Sequence, residues 1–333
     1  EIVKEIKNLK VSGVISDEDF YFMRDNMDIL EAVNLKESTV KDVFCSDLSI
    51  RGYDDINGNN TLFRYRESGV FDDVIPDDAF VNKRTLNYFT FPEKITDVGA
   101  NAFKNTSLNG ALILPENVVN IWPGAFNSTN ISSLSLSGNV EVIADAAFDN
   151  CTSLTGVLYL PDLLQYIGPA AFHNCAFTGN LILPNSLSFI GGRNYNTSGT
   201  WDGAFSDAGQ FTGDLRIPDN ITILEGATFS CTGLNNFPFT GTLDLNNVQS
   251  IGTQCFYGTR FSGELVIPEG VTDIPDQCFL NLPGGKLTSV ILPNSIKTIG
   301  VEAFANMGRM TDLHMPEGLH TIKVDAFSGC NTL

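Results

Sequence analysis

The sequence predicts an α/β solenoid of about eleven right-handed coils, each of about 23 residues and each carrying a short parallel strand. Three observations predict it. One unit recurs: a strand-like apolar run ending in Pro, then an apolar-Gly pair, then Ala-Phe. Examples are LILPENVVNIWPGAF (112–126), LYLPDLLQYIGPAAF (158–172) and VILPNSIKTIGVEAF (290–304). The marker Phe returns at Phe80, Phe103, Phe126, Phe148, Phe172, Phe205, Phe229, Phe256, Phe279, Phe304 and Phe327, with spacings of 23, 23, 22, 24, 33, 24, 27, 23, 25 and 23. Finally, a unit this short buries its apolar face only by stacking on neighbours.

Each position of the unit has a physical reason. The strand supplies two apolar columns, as in Leu112/Leu114, Leu158/Leu160 and Leu243/Leu245, which alternate with outward residues at period two. Pro at 92, 115, 161, 184, 218, 268, 293 and 316 closes the strand, because it sets φ and removes a ladder donor where the chain turns. Val98, Ile121, Ile143, Ile167, Ile190, Leu224, Ile251, Ile274, Ile299 and Ile322 form another column. The residue before the marker Phe is Ala in eight of eleven units and Thr228, Cys255 or Cys278 in the rest; close stacking demands a small side chain there. Gly156, Gly179, Gly213 and Gly241 permit the turn that enters the strand. The Ala-Phe segment is too short for a long helix and is expected as a helical or 3₁₀ turn on the outer wall.

Residues 1–70 fit the unit poorly and are expected to cap the solenoid, leaving 71–333 as one continuous repeat domain. Asp17 to Asn26 reads as a short helix capped by Ser16 or Asp17, with Phe20, Phe22 and Met23 as apolar contacts. Ile29 to Leu35 reads as a strand. The chain starts without a basic, apolar leader pattern or a lipidation Cys.

The composition narrows function by exclusion. The chain has 333 residues, 43% hydrophobic and 18% charged, so it can bury a core. Its 39 acidic against 20 basic residues give a net charge of −19. That charge opposes nucleic acid and anionic membrane surfaces. No apolar run approaches the roughly 20 residues that span a bilayer.

The pattern L-x-L-P-x-x-[VIL]-x-x-I-G-x-x-A-F-x-x-C resembles the BspA-like leucine-rich repeat, also called the Treponema pallidum type, unit by unit from about 70 to 333. The segment LKVSGVISDEDFYFMRDNMDILEAVNLKEST (9–39) looks like the amino-terminal part of such proteins from gut Bacteroidetes. The resemblance implies a leucine-rich-repeat horseshoe or rod, at the bacterial surface or secreted. It also implies an adhesin-like role toward a host or microbial surface or matrix protein, or a glycan. Any membrane attachment would run through a lipid anchor outside this chain, and the chain is expected to be a monomer.

Four departures interrupt the period: GGRNYNTSGTWDG (191–203), LNNFPF (234–239), LPGG (282–285) and DDINGNN (54–60). The first carries Tyr195 and Trp201, either loop anchors for protein or sugar or a plug folded over the coil. The last lacks the Gly and the bidentate Glu of a calcium loop, with Asn60 and Arg66 in their places. The seven Cys fit a packing role as free thiols, although Cys151 with Cys175 and Cys255 with Cys278 stand at equivalent positions of adjacent coils. His173, His314 and His320 join no nucleophile or metal-ligand motif. No catalytic residues, metal or cofactor are therefore expected.

What remains is a surface. The outward strand positions are Thr90, Ile113, Ser135, Tyr159, Ile182, Arg216, Asp244, Val266, Ile291 and His314. Their apolar members suit strands by propensity, and equally make a contact row. The candidate ligand-binding residues are Tyr159, Ile182, Arg216 and Asp244 on the row, with Tyr195 and Trp201 in the insertion. The expected function is non-catalytic binding through these residues; the alternative is a structural spacer that displays other domains.

Overall fold

A computed structural model describes residues 2–54, 60–192, 203–233, 238–281 and 286–333. The chain divides into two compact units, residues 1–154 with 161–175, and residues 155–160 with 176–333. Each is a solenoid of short parallel strands and turns with very little helix.

In the first unit the strands Asn8–Ile15, Ala32–Val40 and Tyr88–Thr90 pair in parallel, as do Asn109–Ile113 and Asn130–Ser135. A second row of two-residue strands runs Val74–Ile75, Asp97–Val98, Asn120–Ile121, Val142–Ile143 and Tyr166–Ile167. Two antiparallel pairs are inserted: Val43–Cys45 with Gly69–Phe71, and Leu48–Asp54 with Asn60–Arg66. The helix Asp17–Asn26 follows N-cap Ser16, whose amide donates to Asp19 Oδ2 at 2.9 Å. Phe20 and Met23 are buried, and Phe20 meets the Phe80 ring edge-on at 5.9 Å. Phe22 is exposed instead, because a step of two residues carries it about 200° around the helix from Phe20. The strand read at Ile29 to Leu35 lies at Ala32–Val40.

In the second unit Thr155–Gly156, Ala176–Gly179 and Gly209–Phe211 are parallel, then Leu215–Arg216 with Leu243–Asp244, then Ser262–Val266, Lys286–Ile291 and Asp312–His314. Short strands again form the second row, with Ile223–Leu224 against Ser250–Ile251, and Asp273–Ile274, Thr298–Ile299 and Thr321–Ile322 in succession. Gly156 and Gly179 end their strands at φ of 85° and 78°, where a Cβ would be strained. Gly241 serves differently: a Cβ there would lie 2.2 Å from the Gly213 carbonyl carbon.

The core follows the repeat columns. The marker Phe rings stack face to face at 5.3–5.7 Å from Phe80 to Phe172 in the first unit, and at 5.4–5.6 Å from Phe205 to Phe327 in the second. The small residues before them are buried throughout. The apolar column of the short row is buried from Val98 to Ile299, whereas Ile322 is exposed. The second unit holds an additional ring ladder, Phe177, Phe211, Phe239 and Phe261, at 5.4–6.2 Å. These rings sit where strands enter, so the marker spacing does not reveal them.

The Ala-Phe segment is not a helix or a 3₁₀ turn. The residue two before the marker is left-handed in coil after coil, as at Asp78, Asn101, Gly124, Ala146, Ala170, Ala227, Gln254, Gln277, Glu302 and Asp325. Helix formation would need each amide to reach back along its own chain. Here the amides of Phe103, Phe126 and Phe148 donate instead to Ala125, Ala147 and Ala171 of the following coil, at 2.8 Å each. Alternate amides, as at Ala102, Lys104 and Thr106, bond three residues back within the turn, and those between are satisfied by the next coil. Three residues after the marker, Cys151, Cys175 and Cys330 donate their thiols to Phe126, Phe148 and Phe304 carbonyls of the preceding coil. Thr106 and Thr259 use the same position to cap the Phe103 and Phe256 carbonyls of their own coils.

All seven Cys are free, six of them buried and Cys330 half-buried. Burial pushes Cys45 and Cys151 up to about 11 and Cys231 to about 12. Two outcomes are expected. Phe126→Ala, which opens a gap between two stacked rings, lowers stability by about 3–5 kcal/mol in urea unfolding followed by circular dichroism. Titration with an aromatic disulfide reagent at pH 8 labels only Cys330 quickly in the native chain and all seven thiols in denaturant; rapid native labelling of several would contradict the packing.

Candidate binding surface

Strand alternation builds the surface. Several outward residues stand between two buried ones, Ile113 between Leu112 and Leu114, Ile182 between Leu181 and Leu183, and Val266 between Leu265 and Ile267. Parallel register sets Arg216 beside Asp244, and Val266, Ile291 and His314 beside one another, while Tyr159 and Ile182 occupy the equivalent repeat positions just outside the assigned strands. In the first unit Thr90, Ile113 and Ser135 are all exposed. In the second unit the row runs Tyr159, Ile182, Arg216, Asp244, Val266, Ile291 and His314, again all exposed. Tyr159 and Ile182 stand 76% and 74% exposed on successive coils. That degree of exposure is unusual for two large apolar side chains placed together.

The charged members of the row are engaged with each other. Arg216 Nη2 meets Asp219 Oδ1 at 2.6 Å, and Arg216 Nε meets Asp244 Oδ2 at 3.4 Å. Asn246 donates to Asp219 Oδ1 and, through its amide, to Asp244 Oδ1. Hydrogen bonds from Arg216 and then Asn246 hold the Asp219 carboxyl below the usual range. The guanidinium is thus oriented over the row, although solvent screening keeps such pairs weak.

Where the closing Pro turns the chain away from the row, a groove opens beside it. In the first unit it encloses about 690 Å³ along Thr90, Phe91, Ile113, Pro115 and Glu116. In the second it encloses about 620 Å³ along Val266, Pro268, Ile291, Pro293, His314 and Pro316. Of the predicted candidates, Tyr159, Ile182, Arg216 and Asp244 therefore share one exposed row. Tyr195 and Trp201 lie outside the described residues, as do residues 55–59 of the DDINGNN loop, 234–237 and 282–285. Among the described residues no group of three or more His, Cys, Asp or Glu could hold a metal ion. None of their helices is long and apolar enough to cross a membrane. His173 Nδ1 lies 2.7 Å from Asp149 Oδ1, within a turn network that includes Asn127 and Asn150.

Sequence reasoning missed a polar cluster in the first unit. Arg66, 8% exposed, pairs with Asp77 Oδ2 through Nη2 at 2.5 Å. Its Nε and Nη2 also donate to the Ser46 carbonyl. The guanidinium lies over the Trp122 ring, 4.9 Å from its centroid. Asp97 Oδ1 accepts from Trp122 Nε1 and from Asn120 Nδ2, each at 2.8 Å, and Oδ2 accepts from Thr96 Oγ1 at 2.7 Å. A signal was present: Trp122 stands where the unit wants Gly after the Ile column. Gly168 shows why the Gly is wanted, since a Cβ there would come 2.5 Å from the Asp145 amide.

The sequence profile described as BspA type Leucine rich repeat region matches six times, over residues 73–200, 194–283 and 243–333. No curated protein matches the chain. Among solved structures, a leucine-rich repeat protein from Bacteroides ovatus is 19% identical, with a TM-score of 0.42 over 86% of this chain and 91% of that one. Another from Eubacterium ventriosum is 15% identical, with a TM-score of 0.44 over 99% and 86%. A leucine rich cell surface protein from Faecalibacterium prausnitzii is 16% identical, with a TM-score of 0.37 over 93% and 87%.

The buried Arg66–Asp77 pair generates an expectation of its own. Asp77→Ala leaves a guanidinium buried without its counter-charge and the Ala100 amide without its acceptor. It should cost about 3–5 kcal/mol in equilibrium urea unfolding.

Proposed function

The chain belongs to the BspA-type leucine-rich repeat family, and from that premise we propose that it is a non-catalytic binding protein, secreted or held at the cell surface. Its ligand is a protein or a glycan, engaged through the strand row of the second unit. The observation that carries this reading is the high exposure of two large side chains, Tyr159 and Ile182, at equivalent positions of successive repeats. Rigid aromatic and apolar side chains backed by a packed sheet supply contact area at small entropic cost. The oriented Arg216 beside them adds hydrogen-bonding direction. The Pro-bordered groove alongside Val266, Ile291 and His314 extends the same face. Tyr195 and Trp201 of the 191–203 insertion are included in the proposal on sequence grounds.

Binding of the purified chain to immobilised matrix proteins, serum proteins and a glycan panel, at physiological salt, tests this. A saturable partner is expected. The double variant Tyr159→Ala/Ile182→Ala should weaken it at least about tenfold, or about 1.4 kcal/mol, with an unchanged circular dichroism spectrum. A partner that binds this variant as well as the parent would sink the strand-row reading. A blank across the panel would favour a spacer without a ligand.

A further inference from the structure

We propose that the polar pocket around Arg66 and Trp122 is a second, independent ligand site, built for an N-acetylated sugar. It encloses about 440 Å³, within the range of small-molecule sites. Cys45, Val74, Arg66 and Trp122 form its buried floor, and Glu67, Ser68 and Asp72 are exposed at its mouth. All of these residues belong to the first unit.

The charges on the floor of the pocket, and Asp72 at its mouth, are already matched. Arg66 is held by Asp77, Asp72 by Lys41 at 2.5 Å, and Asp97 accepts three hydrogen bonds. An anionic ligand at Arg66 would have to displace Asp77, so a neutral acceptor fits better there. Two unmatched groups define what it must offer. Arg66 Nη1 has no hydrogen-bond partner among the described residues, although the side chain is more than nine-tenths buried. Because Arg66 lines the pocket, this accessible donor is free to meet an oxygen acceptor there. Glu67, at the mouth, has no ion-pair or hydrogen-bond partner among the described residues and accepts from hydroxyls. Phe71, Val74 and the Cys45 thiol give an apolar wall, suited to a methyl group. An acetamido sugar combines these features: a neutral carbonyl for Arg66, a methyl for the apolar wall, and hydroxyls for Glu67 and Ser68. Plain hexoses lack the carbonyl and the methyl.

Saturation-transfer NMR on the full chain, with N-acetylglucosamine and glucose as probes, tests the site. The strongest transfer should fall on the acetyl methyl. Glucose should bind at least tenfold more weakly. Arg66→Gln should abolish transfer, but it also unpairs Asp77. Ser68→Phe is therefore the deciding variant, because it blocks the mouth from an exposed position, and it should remove the signal while keeping the parent's thermal midpoint. Tyr159→Ala/Ile182→Ala should leave it intact, which separates this site from the strand row. Absence of methyl transfer at 20 mM sugar, equal transfer to glucose, or full transfer with folded Ser68→Phe would each overturn the proposal.

Discussion

Every coil depends on one arrangement: a turn whose amides bond to the next coil while its Phe ring stacks on the next ring. Each half requires the other. Ring stacking at 5.3–5.7 Å keeps successive turns in contact, and that contact lets the Phe126 amide reach Ala147. The hydrogen bonds in turn leave no backbone group of the turn orphaned in the core. The small residue before the ring and the left-handed residue two before it are consequences of this geometry. Ala, Thr and Cys all satisfy the first requirement, which is why Cys255 and Cys278 are packing residues without redox partners.

With the backbone satisfied between coils, the outward side chains are spared from holding the fold together. The row from Tyr159 to His314 is free to vary, and it does, from aromatic to acidic to imidazole. Variation on a rigid, repeated backbone suits a surface that binds, because the scaffold tolerates any outward residue compatible with a strand. The charges on this row orient one another, and the apolar residues carry the exposed area.

The polar cluster of the first unit shows the converse case. There the inserted hairpins bring Arg66 across to the short-strand row, and the repeat gives up its Gly for Trp122. A buried ion pair is rarely the cheapest way to stabilise a core. Here the pair lies beside an open pocket, which is where the proposed sugar site draws its donor.

The repeat, its core columns and the outward row were legible from the residues alone, because period two on the strands and 23 along the chain leave a direct mark on residue type. The helix at Asp17–Asn26 was legible for the same reason, through its cap and its apolar spacing. The conformation of the Ala-Phe turn was not, because every other hydrogen bond runs to another coil and local sequence carries no record of an acceptor 22 residues away. The second Phe ladder stayed hidden among variable strand entries. The Arg66 pocket joins residues 45, 66, 97 and 122 through strand pairing alone. Sequence determined what stacks, since stacking repeats; tertiary structure decided what meets across the stack, since those meetings occur once.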